Sequence, residues 1–267
     1  MAEVGAGFNP EYYHNCLGPA WFNAFAADLA QRLPAEPLGD VLELACGTGM
    51  VTRRLRERLD PGLRLVASDL SKAMLDFARG ELVDRSGIEW READAGSLPF
   101  DDGEFAAVVC AFGIMFVPDK LLAMRQARRV LKKGGVLLFN VWDRIEKNPH
   151  AAACAEVLED LFPGDEEIGF RKPYEMHDPA LLRRLLAEAR FQEVRIEKKR
   201  IQVRGVSARS IAIGQIRGTP RSLLLEKHGV SLDDVVERVA AALAKAGGAD
   251  PYSGPATAVV VEARAAV

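Results

Sequence analysis

The sequence predicts an α/β fold built on a doubly wound parallel sheet, because strand-like and helix-like segments alternate through its first half. The apolar run Val41–Leu44 leads through a loop with Gly47 and Gly49 into a helix-like segment. The apolar run at 105–111 suits a strand that is covered on both faces. In such a sheet, ligands bind beyond the carboxyl ends of the strands. Strands are also predicted at 63–68, 88–92 and 136–141.

The helices between these strands are predicted from apolar spacing and from residues that start or stop helices. Apolar residues between Met50 and Leu59 share one helix face, and an Asp-Pro-Gly turn then ends the helix. Ser71 is expected to cap the next helix, and Gly80 is expected to end it in a left-handed conformation. The first half therefore supplies one helix after each of its first two strands.

The loop after the first strand predicts a nucleotide-like cofactor. Gly47 and Gly49 permit a sharp turn and a close approach of the ligand to the backbone. A dinucleotide fingerprint needs a third glycine at position 52, where this chain has Thr52. Glu43 lies within the strand, where its charge would repel a phosphate and attract a cation. The loop therefore favours a cationic cofactor over a dinucleotide.

Two further acids follow the next two strands. Asp69 ends the second strand, where a carboxylate can accept both hydroxyl protons of a ribose. Asp94 follows the third strand, where it can accept a hydrogen bond from the amino group of a purine. Asp69 alone would also fit a nicotinamide enzyme, but its combination with Glu43 and Asp94 favours another cofactor.

With these residues the chain resembles the class I methyltransferases that use S-adenosylmethionine (SAM), above all the ubiquinone- and menaquinone-biosynthesis type. The resemblance spans roughly residues 38–142, with Ala45 where many members have a glycine. It implies a Rossmann-like, mostly parallel sheet of seven strands with the last one antiparallel, the final two being expected at 194–203 and 257–263. The matching stretches are 43–49, 67–75, 93–95, 98–100 and 130–135.

The resemblance also implies SAM as the cofactor, S-adenosylhomocysteine as its product, and a set of binding positions. Tyr12 and Tyr13 are expected to precede the N-terminal helix. In similar enzymes an N-terminal aromatic residue closes over the methionine end of SAM, and Tyr13 is expected to do so here. The acceptor is expected beside Tyr12, Phe112, Met115 and Phe116. The cofactor-binding residues are expected to be Tyr13, Glu43, Ala45, Cys46, Gly47, Thr48, Gly49, Asp69, Leu70, Met74, Asp94, Ala95, Cys110, Ala111 and Phe112.

The segments outside the cofactor half are expected to select the substrate. Residues 1–37 are predicted as an N-terminal helical cap on the SAM-binding core at 38–142. Residues 143–267 complete the sheet and carry two insertions, at 143–177 and 205–255, which are predicted to form a helical lid that excludes water. The chain is long enough for one large core, so one domain is expected overall.

The expected reaction is methyl transfer to an apolar or aromatic small molecule at oxygen, carbon or nitrogen. A sulfonium methyl group is already activated, so the protein chiefly orients the acceptor behind it. A general base is needed only for an acceptor that loses a proton, and His150 and His177 are the weak candidates for it. The spacing of the histidines and cysteines predicts no metal site.

Composition limits the partners. The net charge of −3 offers no broad attraction for nucleic acid, and no apolar run is long enough to span a bilayer, so a cytoplasmic protein is expected. The oligomeric state is left open. Three alternatives remain: a nicotinamide-dependent oxidoreductase, a non-catalytic SAM-binding protein, and an arsenite methyltransferase. The last would need Cys16, Cys110 and Cys154 to converge on one metalloid.

Overall fold

The computed structural model describes residues 9–34, 39–83, 86–165 and 167–266. Residues 1–8 and 35–37 of the expected N-terminal cap lie outside this part of the chain. The chain forms two compact units. The sheet unit comprises Phe25–Trp142, Met176–Lys199 and Ala258–Val267, and the helical unit comprises Met1–Ala24, Asp143–Glu175 and Arg200–Thr257.

The sheet has seven strands in the order β3-β2-β1-β4-β5-β7-β6. Neighbouring strands from β3 to β5 pair in parallel, and β7 runs antiparallel to β5. The prediction of a seven-stranded, mostly parallel sheet is therefore confirmed. The strands are β1 (Val41–Leu44), β2 (Leu65–Asp69), β3 (Ile88–Glu92), β4 (Phe105–Ala111), β5 (Leu131–Trp142), β6 (Phe191–Val203) and β7 (Gly254–Ala265).

Several of the helices begin at residues whose side chains accept hydrogen bonds from free backbone amides. Ser71 accepts from the Met74 amide, and Asp119 accepts from the Leu122 amide. The helices are α1 (Pro10–Tyr12), α2 (Asn23–Arg32), α3 (Met50–Arg58), α4 (Lys72–Glu81), α5 (Lys120–Val130), α6 (Pro149–Leu161), α7 (Pro179–Glu188), α8 (Ala208–Arg217), α9 (Arg221–Lys227) and α10 (Leu232–Gly247).

The expected stop at Gly80 is wrong. Helix α4 runs through Gly80 to Glu81, and Gly80 is not among the glycines with a positive φ. The Leu82 amide still donates to the carbonyl of Ala78, and the Leu82 side chain is buried. Burial of that leucine continues the helical turn past the glycine, because an apolar contact outweighs a weak local preference.

The N-terminal helix begins earlier than the sequence predicts. Asn9 accepts from the Glu11 amide at 2.8 Å, and Pro10 occupies the first helical position. A π-helix, Tyr13–Phe22, then follows α1 and leads into α2. The expectation that Tyr12 and Tyr13 precede the helix is therefore wrong, because the cap lies at Asn9.

The π-helix packs closely on α8 at two glycines. A Cβ atom on Gly214 would lie 2.7 Å from Cγ of Leu17, and one on Gly218 would lie 2.5 Å from the backbone nitrogen of Tyr13. The amide of Asn9 donates to the carbonyl of Arg217 at 3.2 Å. Small residues four positions apart thus bring the two helices together within the helical unit.

A buried asparagine joins the start of α6 to β7 in the helical unit. The Asn148 side chain is fully buried, and its Oδ1 accepts from the Thr257 amide at 2.8 Å. Its Nδ2 donates to the carbonyls of Thr257, Asp143 and Arg144 at 3.1–3.3 Å. Asn148 is the acceptor of the buried Thr257 amide, while the carbonyls of Thr257 and Arg144 also accept from the amides of Asp143 and Lys147.

No helix in the described ranges is long and apolar enough to cross a membrane.

Replacing Asn148 with Ala should lower the free energy of unfolding by about 1–3 kcal/mol, because the buried Thr257 amide loses its acceptor. Denaturant unfolding followed by circular dichroism measures this change. The exposed Gln31→Ala in α2 is the control, and it should change stability by less than about 0.5 kcal/mol. Equal effects of the two substitutions would contradict the role of Asn148.

Candidate functional site

The loop between β1 and α3 has the backbone conformation of a ligand cradle. Ala45, Gly47 and Gly49 all have a positive φ, of 51°, 55° and 81°. The Cys46 amide donates to the Ser68 carbonyl at 2.9 Å, which ties the loop to the end of β2. A Cβ atom on Gly47 would meet no atom within 4 Å, so the loop faces open space at that point. Glycine at 47 therefore keeps both the turn and the space in front of it.

Asp69 is held at this loop by backbone amides. Its Oδ2 accepts from the Gly47 amide and its Oδ1 from the Ser71 amide, each at 2.8 Å. Burial raises the pKa of Asp69, while the amides of Ser71, Gly47 and Leu70 oppose this rise. Since each carboxylate oxygen has two lone pairs, both oxygens keep accepting capacity for a ligand.

Glu43 is a buried acid inside the sheet. It lies on β1 opposite Ala67 of β2 and Val109 of β4, and it is 1% exposed. Burial raises the pKa of Glu43 to about 8; the charge of Asp69 acts in the same direction and Thr52 opposes it. Its Oε2 has no hydrogen-bond partner among the described residues. A buried carboxyl of this kind is costly unless a ligand brings a donor or a positive charge to it.

The same two carboxyl groups act on the neighbouring cysteines. Burial raises the pKa of the Cys110 thiol to about 12, and the charges of Glu43 and Asp69 raise it further against two backbone amides. Burial also raises the pKa of the Cys46 thiol, with the same two charges assisting. Both thiols are therefore neutral and unreactive, and they serve as small buried side chains.

Phe112 follows β4 in a strained backbone conformation. Its φ is 53°, and its amide donates to both the carbonyl and the side-chain Oδ1 of Asn140, at 3.0 and 2.9 Å. Its ring packs against Trp142 and Phe25, with centroids 4.3 and 5.3 Å away. A non-glycine residue in this region costs about 1–3 kcal/mol, and such strain is common at ligand sites.

Gly113 fits against the loop between β1 and α3. A Cβ atom on Gly113 would clash with the Cβ of Ala45 and lie 2.9 Å from Sγ of Cys110. The φ of Gly113 is −96°, so this glycine is required by close contact and not by its backbone angle. The ends of β1 and β4 therefore touch through Ala45 and Gly113.

The predicted cofactor residues of the sheet unit lie at the carboxyl ends of four adjacent strands, β3, β2, β1 and β4. Asp94 is exposed after β3, and its Oδ1 accepts from the Gly96 amide at 2.7 Å. The Ala93 amide donates to the Asp69 carbonyl at 3.0 Å, which brings this turn beside the end of β2. The other predicted positions here are Glu43, Ala45, Cys46, Gly47, Thr48, Gly49, Leu70, Met74, Ala95, Cys110, Ala111 and Phe112.

Two large apolar side chains are exposed beside these strand ends. Leu70 is 50% exposed directly after Asp69, and Phe116 is 54% exposed in a short helix after β4, whereas Met115 is buried. Exposed apolar residues next to convergent polar groups are typical of a ligand site.

The remaining candidates lie elsewhere. Tyr12, Tyr13 and His150 belong to the helical unit, and His177 belongs to the sheet unit, where it is half-buried. The ring of Tyr13 stacks on Phe22 at 4.9 Å. Burial lowers the pKa of His150 to about 3, and the charge of Arg221 acts in the same direction.

Sequence analysis missed Asn140 and Gly113. Asn140 is the single polar residue in the buried part of β5, so a lone polar residue within an apolar strand was the available pattern, as it was for Glu43. Gly113 had no pattern of its own, because its role depends on Ala45, which is distant in the chain.

A family model described as a methyltransferase domain matches residues 42–139. The ubiquinone/menaquinone biosynthesis C-methyltransferase UbiE of Hahella chejuensis is 40% identical over 101 residues, which are 37% of this chain and 41% of that protein. The demethylmenaquinone methyltransferase of Lactococcus lactis is 36% identical over 115 residues, covering 40% of this chain and 46% of that protein. The chain thus spans less than half the length of these curated relatives.

Solved structures match the chain over most of its length. The YcgJ protein of Bacillus subtilis aligns with a TM-score of 0.63 and 14% identity, covering 91% of this chain and 99% of that one. Phosphoethanolamine N-methyltransferase 2 of Haemonchus contortus, in complex with SAM, aligns with a TM-score of 0.60 and 17% identity, covering 97% and 57%. The predicted resemblance to class I methyltransferases is therefore confirmed, and so is the Rossmann-like fold.

Replacing Gly113 with Ala should lower the free energy of unfolding by about 1–3 kcal/mol, because the added methyl overlaps Ala45 and Cys110. The double substitution Ala45→Gly/Gly113→Ala should recover part of this loss, since it removes one of the two clashes. Denaturant unfolding of the two single variants and the double variant gives the interaction energy. Gly80→Ala, in open space on α4, is the control and should stabilise slightly. Strictly additive effects at 45 and 113 would contradict the contact.

Stability should fall with pH because of Glu43. Its pKa is raised from 4.5 to about 8 on folding, so this carboxyl stabilises the fold fully below about pH 4.5 and less and less up to about pH 8. Glu43→Gln cannot ionise. At pH 8 the free energy of unfolding of the ligand-free variant should therefore exceed that of the wild type by a few kcal/mol, which is the energy that corresponds to the pKa change. Denaturant unfolding at pH 5 and pH 8 tests this. The exposed Glu57→Gln on α3 should keep the wild-type pH dependence, and a matching dependence in Glu43→Gln would refute the assignment.

Proposed function

We propose that this protein is a SAM-dependent methyltransferase that acts on an apolar or aromatic small molecule and releases S-adenosylhomocysteine. The observation that supports this most is the pair of acids at the glycine loop: Glu43 with an unpartnered buried oxygen, and Asp69 held against the Gly47 amide. The match of a methyltransferase domain over residues 42–139 supports the same activity.

The residues present fit the chemical groups of SAM. Glu43 offers a buried carboxyl to a cationic ligand, and Asp69 offers two accepting oxygens to the hydroxyls of a ribose. The space before Gly47 admits the ligand close to the backbone. Leu70 provides an exposed apolar surface beside Asp69 for a flat base, and Asp94 provides an acceptor for an amino group.

Catalysis in this proposal consists of orientation. SAM supplies a methyl group that is already activated, so the protein needs no nucleophile of its own. Asn140 fixes the backbone of Phe112, and the aromatic contacts of Phe112 with Phe25 and Trp142 fix its ring. A rigid wall of this kind holds reactants in place, which in favourable cases contributes about 7–11 kcal/mol.

The acceptor is proposed by class only. The two curated relatives are named for ubiquinone and menaquinone biosynthesis and for demethylmenaquinone, which agrees with an apolar or aromatic acceptor. We propose no general base at His150, because a pKa of about 3 makes its ring a weak proton acceptor. Five expectations stay predictions: His177 as a general base, the helical lid, the single-domain organisation, the lack of nucleic-acid binding and the cytoplasmic location.

The nicotinamide oxidoreductase and the non-catalytic SAM-binding protein are not favoured by any of the matches. Parallel calorimetric titration with SAM, S-adenosylhomocysteine and NAD(H) separates these activities, because the oxidoreductase predicts binding of NAD(H) alone. Transfer of a labelled methyl group to hydrophobic phenols or quinols separates the enzyme from the binding protein.

Asp69→Ala should weaken SAM binding roughly 100-fold or more, because the carboxylate that would accept hydrogen bonds from both ribose hydroxyls is lost. Isothermal titration measures the affinity, and circular dichroism checks that the fold is retained. Asp76→Ala is the control, since Asp76 is an exposed acid on α4 that pairs with Lys72. An unchanged affinity in Asp69→Ala would refute the ribose assignment.

A further inference from the structure

Arg221 is the first residue of α9, and its charged side chain is buried in the helical unit without an ion-pair partner among the described residues. It is 4% exposed, and none of the ion pairs between described residues includes it. Its Nε has no hydrogen-bond acceptor among those residues. Its guanidinium lies 4.6 Å from the ring centroid of Phe170, which offsets only part of the cost of burying the charge.

Gln215 is a second buried side chain with an unsatisfied atom, and the two are connected. Its Nε2 donates to the His150 carbonyl at 3.1 Å, whereas its Oε1 has no partner among the described residues. The Thr219 hydroxyl donates to the Gln215 carbonyl at 2.6 Å and accepts from the Arg221 amide at 3.4 Å. The charge of Arg221 also acts on the ring of His150, so both unsatisfied side chains have His150 as a neighbour.

The three titratable groups whose pKa Arg221 affects carry no negative charge at neutral pH. Burial lowers the pKa of His150 to about 3, and Arg221 assists. Burial raises the pKa of the Tyr174 phenol and of the Cys154 thiol, while Arg221 opposes both rises. All three are therefore uncharged, and Arg221 gives this cluster a single positive charge.

We infer that Arg221 and Gln215 form a binding site for the carboxylate of a small organic acid that also carries a hydroxyl or amino group. The guanidinium donates to the carboxylate through its fork of N–H groups, and Gln215 Oε1 accepts from the second group. The single positive charge of Arg221 balances a monoanion such as a carboxylate, whereas a phosphate dianion would need a second positive charge. This inference goes beyond methyl transfer, because binding is measured without turnover.

Calorimetric titration of the full chain with glycolate, mandelate and 4-hydroxybenzoate, each beside its neutral amide, tests the inference. At least one acid should bind while its amide does not. Arg221→Met, which keeps the length and apolar stem of the side chain, should weaken the binding of that acid about 10- to 150-fold. Arg209→Gln is the matched control, because Arg209 is an exposed arginine on α8 paired with Glu237, and it should bind as the wild type does.

The melting temperature gives a second measurement that separates a ligand site from a structural arginine. Loss of an uncompensated buried charge should leave the melting temperature of ligand-free Arg221→Met equal to or above that of the wild type. A melting temperature several degrees below the wild type would make Arg221 structural and overturn the inference. Failure of all three acids to bind, equal binding of acid and amide, or unchanged acid affinity in Arg221→Met would overturn it too.

Discussion

The buried carboxyl of Glu43 limits which ligand the loop between β1 and α3 can accept. It lies in the middle of the sheet between β2 and β4, with one oxygen that no described residue satisfies. Its raised pKa of about 8 means that the ligand-free protein largely keeps it protonated at neutral pH. A cationic ligand would bind better to the ionised form, so binding would release a proton. The acid therefore lowers stability in the free protein and contributes affinity in the bound one.

The backbone strain at the ends of β1 and β4 likewise lowers the stability of the free protein. Ala45 and Phe112 are both non-glycine residues with a left-handed φ, and each is the first residue after its strand. Asn140 holds Phe112 with two hydrogen bonds, and Gly113 leaves room for the methyl group of Ala45. The two strained residues thus lie at the ends of adjacent strands, at the switch point of the sheet, where strain and ligand sites often coincide.

Local patterns in the sequence predicted the elements that depend on local physics. The apolar run at 105–111 predicted β4 without error, and Ser71 caps α4 as expected. The glycine loop and the three acids were predicted as a site because their residue types and spacing carry chemistry, and their role stays a prediction. The start at Asn9 was missed, since it depends on a cap ahead of the aromatic residues, and the stop at Gly80 was wrong, since burial of Leu82 overrides the glycine.

What escaped prediction depends on contacts between residues that are distant in the chain. The need for glycine at 113 arises from Ala45, and the role of Asn140 arises from Phe112. The same holds for Arg221, whose burial arises from its surroundings and not from its neighbours in sequence.

Glu43 and Arg221 would carry opposite charges, but they share one property: each is a buried ionisable group with an unsatisfied atom and no ion pair among the described residues. A fold that retains such groups gives up stability unless ligands supply the missing partners. Each unit should therefore gain stability from its own ligand by mass action, the sheet unit from a cation and the helical unit from an anion. The two gains are separable, because they depend on different charges in different units.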